Sequence, residues 1–239
     1  MEMEIEEIYA MNVEDLNTVH FLHIGKCAGT TIRVLIDEIN QKSGYPKMVA
    51  HPHRTTLADL WASSDCPSYF FSIRNPITRF YSGFYSRKRK GLPRIYVEWS
   101  DLERQAFEYF NDANDLAENL FKNSALGIEA SSAMQSIRHV KDHQHSWFND
   151  FEEIFHSRKP ICILRQENLT EDVQYLFKKL NIVEKINLET DKVKAHKNDY
   201  SNKLPLSELA IENLKIWYAK DIIFYNLANN YIEINQQNL

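Results

Sequence analysis

The sequence predicts an α/β fold in three layers, α/β/α, with a central parallel sheet and a helical insertion. Three observations carry that expectation. Apolar runs of strand length at 19–24, 47–50 and 69–73 each end in polar residues, and helix-like segments separate them, as in βαβ units. The first run ends in a short loop, Gly25-Lys26-Cys27-Ala28-Gly29-Thr30-Thr31, that opens into a helix, the local architecture of a phosphate site and therefore P-loop-like. A hydrophobic content of 44% with 12% aromatics supplies a packed core, so disorder is excluded.

In chain order, an acidic extension of about 17 residues precedes the first strand. The first helix runs from Thr30 to about Asn40 and stops at Ser43-Gly44-Tyr45-Pro46. The second strand ends at His51-Pro52-His53-Arg54, and Thr55-Thr56 caps a helix reaching Trp61. The third strand ends at Arg74, where Asn75 as N-cap and Pro76 at the first helical position start another helix. In it Ile77, Phe80, Tyr81 and Phe84 make a core face, with Thr78, Arg79, Ser82 and Ser86 on the other side. Residues 98–145 read as helical, an insertion spanning about 98–150 over the sheet. A buried strand at 160–164 follows, then a helix with the stripe Leu169, Val173, Leu176, Phe177 and Leu180. A polar stretch, 184–203, leads to a helical end near Ile234. The whole chain, 1–239, reads as one domain.

Charge and cysteine usage narrow the function. A net charge of −5 argues against a general nucleic-acid or anionic-membrane binder. Seven basic and no acidic residues lie between Arg74 and Arg94, so the rest of the chain carries about −12. The acidic start lacks the basic and apolar regions of a signal peptide, and no apolar run of about 18 residues offers a membrane span. Three widely spaced cysteines, Cys27, Cys66 and Cys162, fit reduced thiols. A cytoplasmic location is the expectation.

The loop is not of the Mg-nucleotide type, in which lysine follows the glycines and a hydroxyl residue follows lysine. Here Lys26 precedes Gly29 and Cys27 follows it. Downstream, Arg74 at a strand end and Ser82 two turns into the next helix are spaced to grip a second phosphate about 10 Å along that helix. Residues 21–31 resemble the loop that binds the 5′-phosphosulfate in sulfotransferases using 3′-phosphoadenosine 5′-phosphosulfate (PAPS). Arg74-Asn75-Pro76-Ile77-Thr78-Arg79-Phe80-Tyr81-Ser82 is similar to the same family's 3′-phosphate motif. The resemblance extends to the carbohydrate sulfotransferases that include heparan sulfate 2-O-sulfotransferase, through the His51-Pro52-His53 segment and Leu164-Arg165-Gln166-Glu167-Asn168-Leu169, and covers roughly 19 to 228. Gly25 in place of Pro, Cys27-Ala28 in place of Thr-Gly, and Asn75 in place of Asp depart from the pattern.

The resemblance implies roles. Lys26 and the backbone of Cys27, Ala28, Gly29, Thr30 and Thr31 hold the 5′ end, Arg74 and Ser82 the 3′-phosphate, and Lys197 closes over the nucleotide. PAPS is the co-substrate and no metal is required. The base is His53 in preference to His51, since imidazole titrates near neutrality. The acceptor is a hydroxyl of a saccharide-like molecule. The rivals are a P-loop nucleotide or small-molecule kinase, and a nucleotide- or glycan-binding protein of the same fold without turnover. A zinc site joining His51 and His53 to His143 and His145 is disfavoured by its spacing. Residues 138–147 read as a solvated helix end in preference to an acceptor-cleft wall, and Arg87-Lys88-Arg89-Lys90 as a solvated face.

Overall fold

The computed structural model describes residues 17–63, 67–93, 95–184 and 203–235. Strands β1 (Thr18–Leu22), β2 (Lys47–Ala50), β3 (Tyr69–Ile73) and β4 (Cys162–Arg165) form a parallel sheet in the order β2-β1-β3-β4. From β1 the chain crosses outward to β2, then returns to place β3 on the other side of β1. The order therefore reverses between β1 and β3. In such sheets the crevice beyond the carboxyl ends of the two strands at the reversal is the place for a ligand.

Successive strand side chains point to opposite faces, and here both faces are covered. On one side Val19, Phe21, Phe70, Cys162 and Leu164 pack with Ile32 and Ile36 of α1 (Gly29–Asn40) and Met48 of β2. On the other, Leu22, Phe71, Ile73 and Ile163 pack with Leu57 and Leu60 of α2 (Leu57–Ser63). The expected α/β/α layering is present. Helix α3 (Pro76–Lys88) starts as anticipated: the Asn75 side chain accepts the N–H groups of Ile77 and Thr78, and Pro76 occupies the first turn.

After α3 come α4 (Asp101–Tyr109), α5 (Ala113–Asn119) and α6 (Ala125–Ser136), each opened by a side-chain cap from Ser100, Asp112 and Ser124 respectively. Their apolar faces meet Phe80, Phe84 and Tyr85 of α3 in a core of their own that includes Phe107, Phe110, Leu116 and Met134. A short α7 (Glu153–His156) precedes β4, and α8 (Leu169–Lys179) follows it. Val173, Leu176 and Phe177 of α8 lie in the sheet core, as the periodicity predicted. Helix α9 (Glu208–Trp217) completes the core under α4 to α6. Helix α10 (Ala219–Asn235) sends Phe224, Ala228 and Ile232 to the sheet. Among the described residues no helix is long and apolar enough to cross a membrane.

Candidate active site

The loop after β1 is built from backbone conformations that most residues avoid. Lys26 has φ 69° and Ala28 φ 61°, both left-handed, and Ala28 gives the start of α1 no side-chain cap. Left-handed residues of this kind turn successive N–H groups toward one concavity, and a helix start adds its positive pole. At Gly29 a Cβ would lie 1.7 Å from Nε2 of His23, so a side chain there requires that imidazole to move. The imidazole of His23 fills the space beneath the helix start.

Cross-links from neighbouring elements hold this loop. Ser72 Oγ donates to the Cys27 carbonyl at 2.6 Å. Arg79, 1% exposed, donates Nε to the Gly25 carbonyl at 2.8 Å and Nη1 to the Asp142 carbonyl at 2.5 Å. The fully buried side chain of Gln144 binds both backbone groups of Arg74, accepting its N–H at 2.9 Å and donating to its carbonyl at 2.7 Å. The Gln144 oxygen also accepts Cys27 Sγ at 3.2 Å. One glutamine thus ties the end of β3 to the loop after β1, across the point where the strand order reverses. Arg74 itself donates Nε to Thr78 Oγ1 at 3.0 Å and Nη1 to the Lys26 carbonyl at 3.4 Å.

Electrostatically the loop is a cluster of like charges. The Lys26 ammonium forms no ion pair among the described residues. Burial, then Arg89, Arg74 and Arg79, lower its pKa to about 8. Burial pushes the Cys27 thiol up to about 12, so it stays protonated. A half-buried cation surrounded by cations is stabilised by an anion placed among them.

Three imidazoles adjoin this cluster. His53 lies over His23 with ring centroids 3.8 Å apart, and its ring meets that of His139 edge-on at 6.3 Å. Nδ1 of His139 and Nδ1 of His53 both converge on Gly25, 3.4 and 3.7 Å from where a Cβ would stand. Burial foremost holds all three below the usual imidazole range, with His23 at about 3 and His139 at about 2. The neighbours Arg138 and Lys26 add to the effect at His53 and His139. All three are therefore neutral near pH 7. His53 and His139 line a cavity of about 610 Å³, together with Arg54, Arg138, Lys141 and Trp147. His51 is differently engaged: its Nε2 lies 2.8 Å from Nδ1 of His20.

Two expectations are corrected by these contacts. Residues 138–147 are not a solvated helix end. Gln144 is fully buried, Trp147 is 8% exposed with its indole N–H on the His53 carbonyl at 3.0 Å, and the segment forms a wall of the cavity. The cause is a 3₁₀ turn, Gln144–Trp147, pinned by the buried carboxylate of Asp221, which accepts the N–H groups of Gln144 and His145 at 2.9 and 3.0 Å. Nor is the run 87–90 a solvated face. Arg87 is 3% exposed and paired bidentately to Glu103 at 2.7 and 2.8 Å, Lys88 donates to the Phe110 carbonyl, Arg89 to those of Leu92 and Tyr85, and Lys90 pairs with Glu98 at 2.7 Å.

Of the remaining predicted residues, Ser82 is 4% exposed on α3, and Lys197 lies outside the described residues. The structure keeps His51 and His53 apart from His143 and His145, which gather at Asp221, so no zinc site unites the four. His23, His139, Gln144 and Asp221 escaped the sequence reading. The contact of Gly29 with His23 needs the turn between them folded, and the bonds of Gln144 to Arg74 join segments distant in the chain.

A search of curated proteins returns no match. A model of the sulfotransferase family matches residues 9–228, which include all four strands, the loop after β1 and the first part of α10. The chain belongs to the sulfotransferase family.

Proposed function

We propose that this sulfotransferase takes PAPS as donor and transfers its sulfuryl group to a hydroxyl of a saccharide-like acceptor, as the carbohydrate branch of the family does. The observation that carries the reading is Lys26: a half-buried ammonium without an ion pair among the described residues, set at the strand-order reversal beside Arg74. It takes the 5′-phosphosulfate with the N–H groups of Cys27, Ala28, Gly29, Thr30 and Thr31, while Arg74 and Ser82 take the 3′-phosphate. The acceptor occupies the 610 Å³ cavity, where Trp147 offers an aromatic edge and Arg54, Arg138 and Lys141 outnumber Glu103, itself paired to Arg87, and Asp142, an excess that favours an acidic saccharide.

In the transfer, His53 accepts the hydroxyl proton as the acceptor oxygen forms its bond to sulfur. The bond from sulfur to the bridging phosphate oxygen breaks in line, leaving a sulfate ester and 3′-phosphoadenosine 5′-phosphate. Lys26 meets the charge that develops on the leaving phosphate. His53 is preferred to His51 as base because its ring borders the cavity and the Lys26 loop, whereas His51 is bonded to His20.

Calorimetry with 3′-phosphoadenosine 5′-phosphate and with 5′-AMP tests the donor assignment: tighter binding of the bisphosphate is expected, and equal affinities would remove the 3′-phosphate role. A labelled-sulfate screen over acidic and neutral glycans then tests the transfer. In it His53→Ala is expected to slow turnover by about 10²–10⁴-fold with donor binding retained. Full turnover by that variant would dismiss His53 as base.

A further inference from the structure

We propose that His143, His145 and Asp221 form a binding site for a divalent cation of the zinc class, separate from the donor and acceptor sites. The ligand atoms of the three residues all lie within 4.8 Å of one another. His145 Nδ1 stands 2.7 Å from Asp221 Oδ1 and His143 Nδ1 stands 3.8 Å from Asp221 Oδ2. Zinc takes imidazole nitrogen and carboxylate oxygen at about 2.0–2.2 Å in a tetrahedron, which sets its ligands roughly 3.4 Å apart. The two measured separations bracket that value, so small side-chain rotations complete the geometry.

A second observation points to a ligand. Nδ1 of His143 is buried and has no hydrogen-bond partner, although it faces a carboxylate just beyond reach. A purely structural role for Asp221, capping the turn and bonding His145, accounts for every contact except this nitrogen. The carboxylate is also prepared in the manner of a metal ligand: it is fully buried, and the N–H groups of Gln144 and His145 fix its orientation. A carboxylate has about four acceptor positions, and the described donors use three.

Binding is balanced without a co-reactant. The His145 proton moves from Nδ1 to Nε2 through solvent, and the freed Nδ1 lone pair goes to the cation. The two imidazoles are 29% and 22% exposed, which provides an entry path and room for water as a fourth ligand. Arg79 lies within electrostatic reach of both His143 and Asp221. That charge disfavours Mg²⁺ or Ca²⁺, held by oxygen charge alone, more than a cation that draws affinity from imidazole. Because Gln144 stands between the two histidines and holds Arg74 and Cys27, an occupied site stiffens the turn that anchors the phosphate loop.

The test is zinc titration of the chelator-stripped full-length protein against a chromophoric chelator, with thermal unfolding measured in parallel. One equivalent is expected to bind and raise Tm. His143→Ala and His143→Gln are expected to unfold like the wild type without zinc and to bind it more weakly by over about 10-fold, the scale known for outer-sphere partners alone. Absence of uptake by the wild type, or equal uptake by both variants, would overturn the proposal. Binding of 3′-phosphoadenosine 5′-phosphate is read separately, so either assignment can fail while the other stands.

Discussion

The two ends of α3 carry the same kind of residue and use it in opposite ways. At the C-terminal end Arg87 and Lys90 are ion-paired to Glu103 and Glu98, while Lys88 and Arg89 donate to carbonyl groups and Arg89 still acts on Lys26. At the N-terminal end Arg74 and Arg79 brace the loop by its carbonyl oxygens, and Lys26 remains in the middle without an ion pair. A count of basic residues points to the C-terminal end. The proposed function places the chemistry at the other, because a cation ion-paired inside the protein has little charge left to offer a ligand. What matters is the unmatched charge, and matching is a property of tertiary contacts.

The largest effect that would sharpen this contrast is at the paired end. Arg87→Ala or Glu103→Ala leaves a buried charge alone and is expected to destabilise by about 3–5 kcal/mol in denaturant unfolding. A loss near zero would mean that the pair is solvated after all. Replacing both partners by well-packed Met and Leu should restore much of the loss. At the ligand end, Arg74→Ala is expected to weaken binding of 3′-phosphoadenosine 5′-phosphate by about 1.5–3 kcal/mol, the range for hydrogen bonds to charged groups, with a smaller change in unfolding. A stability loss as large as that of Arg87→Ala would erase the distinction between the two ends.

Two pH responses are smaller, and they share a sign but occupy different pH ranges. Burial raises the pKa of Glu103, but Arg87 and the N–H groups of Ser100 and Arg138 outweigh it and hold the carboxyl at about 2, below its ordinary 4.5. Its stabilisation is thus complete above about pH 4.5 and is lost as pH falls toward 2, a slope that Glu103→Gln should remove from acid unfolding curves. Lys26, lowered to about 8 from 10.5, gives a rise of the same direction at alkaline pH, but there it is the relief of a penalty. Between those values the unfolded chain holds a proton the folded protein has released, so this group's contribution to stability rises with pH. A bound phosphate restores the proton. Calorimetry in buffers of different ionisation enthalpy should therefore show proton uptake on nucleotide binding above pH 8 and affinity falling as pH rises, both lost in Lys26→Met.

Much of the scaffold was legible in the chain because its signals are local. Asn75-Pro76 caps α3 through bonds within three residues, and Leu169, Val173, Leu176 and Phe177 fall on one face of α8 by helical period alone. The positions of Lys26 and Arg74, one in a loop after a strand and one at a strand end, were legible for the same reason. The segment 138–147 was misread for the complementary reason. Its polarity is that of a solvated helix end, and nothing nearby in sequence reveals that Asp221 and Arg74 satisfy its polar groups.

By itself, then, the sequence determined the α/β layering, the strand ends and the family motifs, since strand alternation, helix period and capping act between residues a few positions apart. Which cations are used up, which histidine borders the cavity, and what a side chain at Gly29 would meet depend on contacts made in the folded molecule. Those outcomes rest on contacts such as Gln144 with Arg74 and His23 beneath Gly29, and the second of these spans only six positions yet requires the turn to be folded. Charge neutralisation and steric exclusion act over a few ångströms in space, and the chain's linear order does not state which residues come that close.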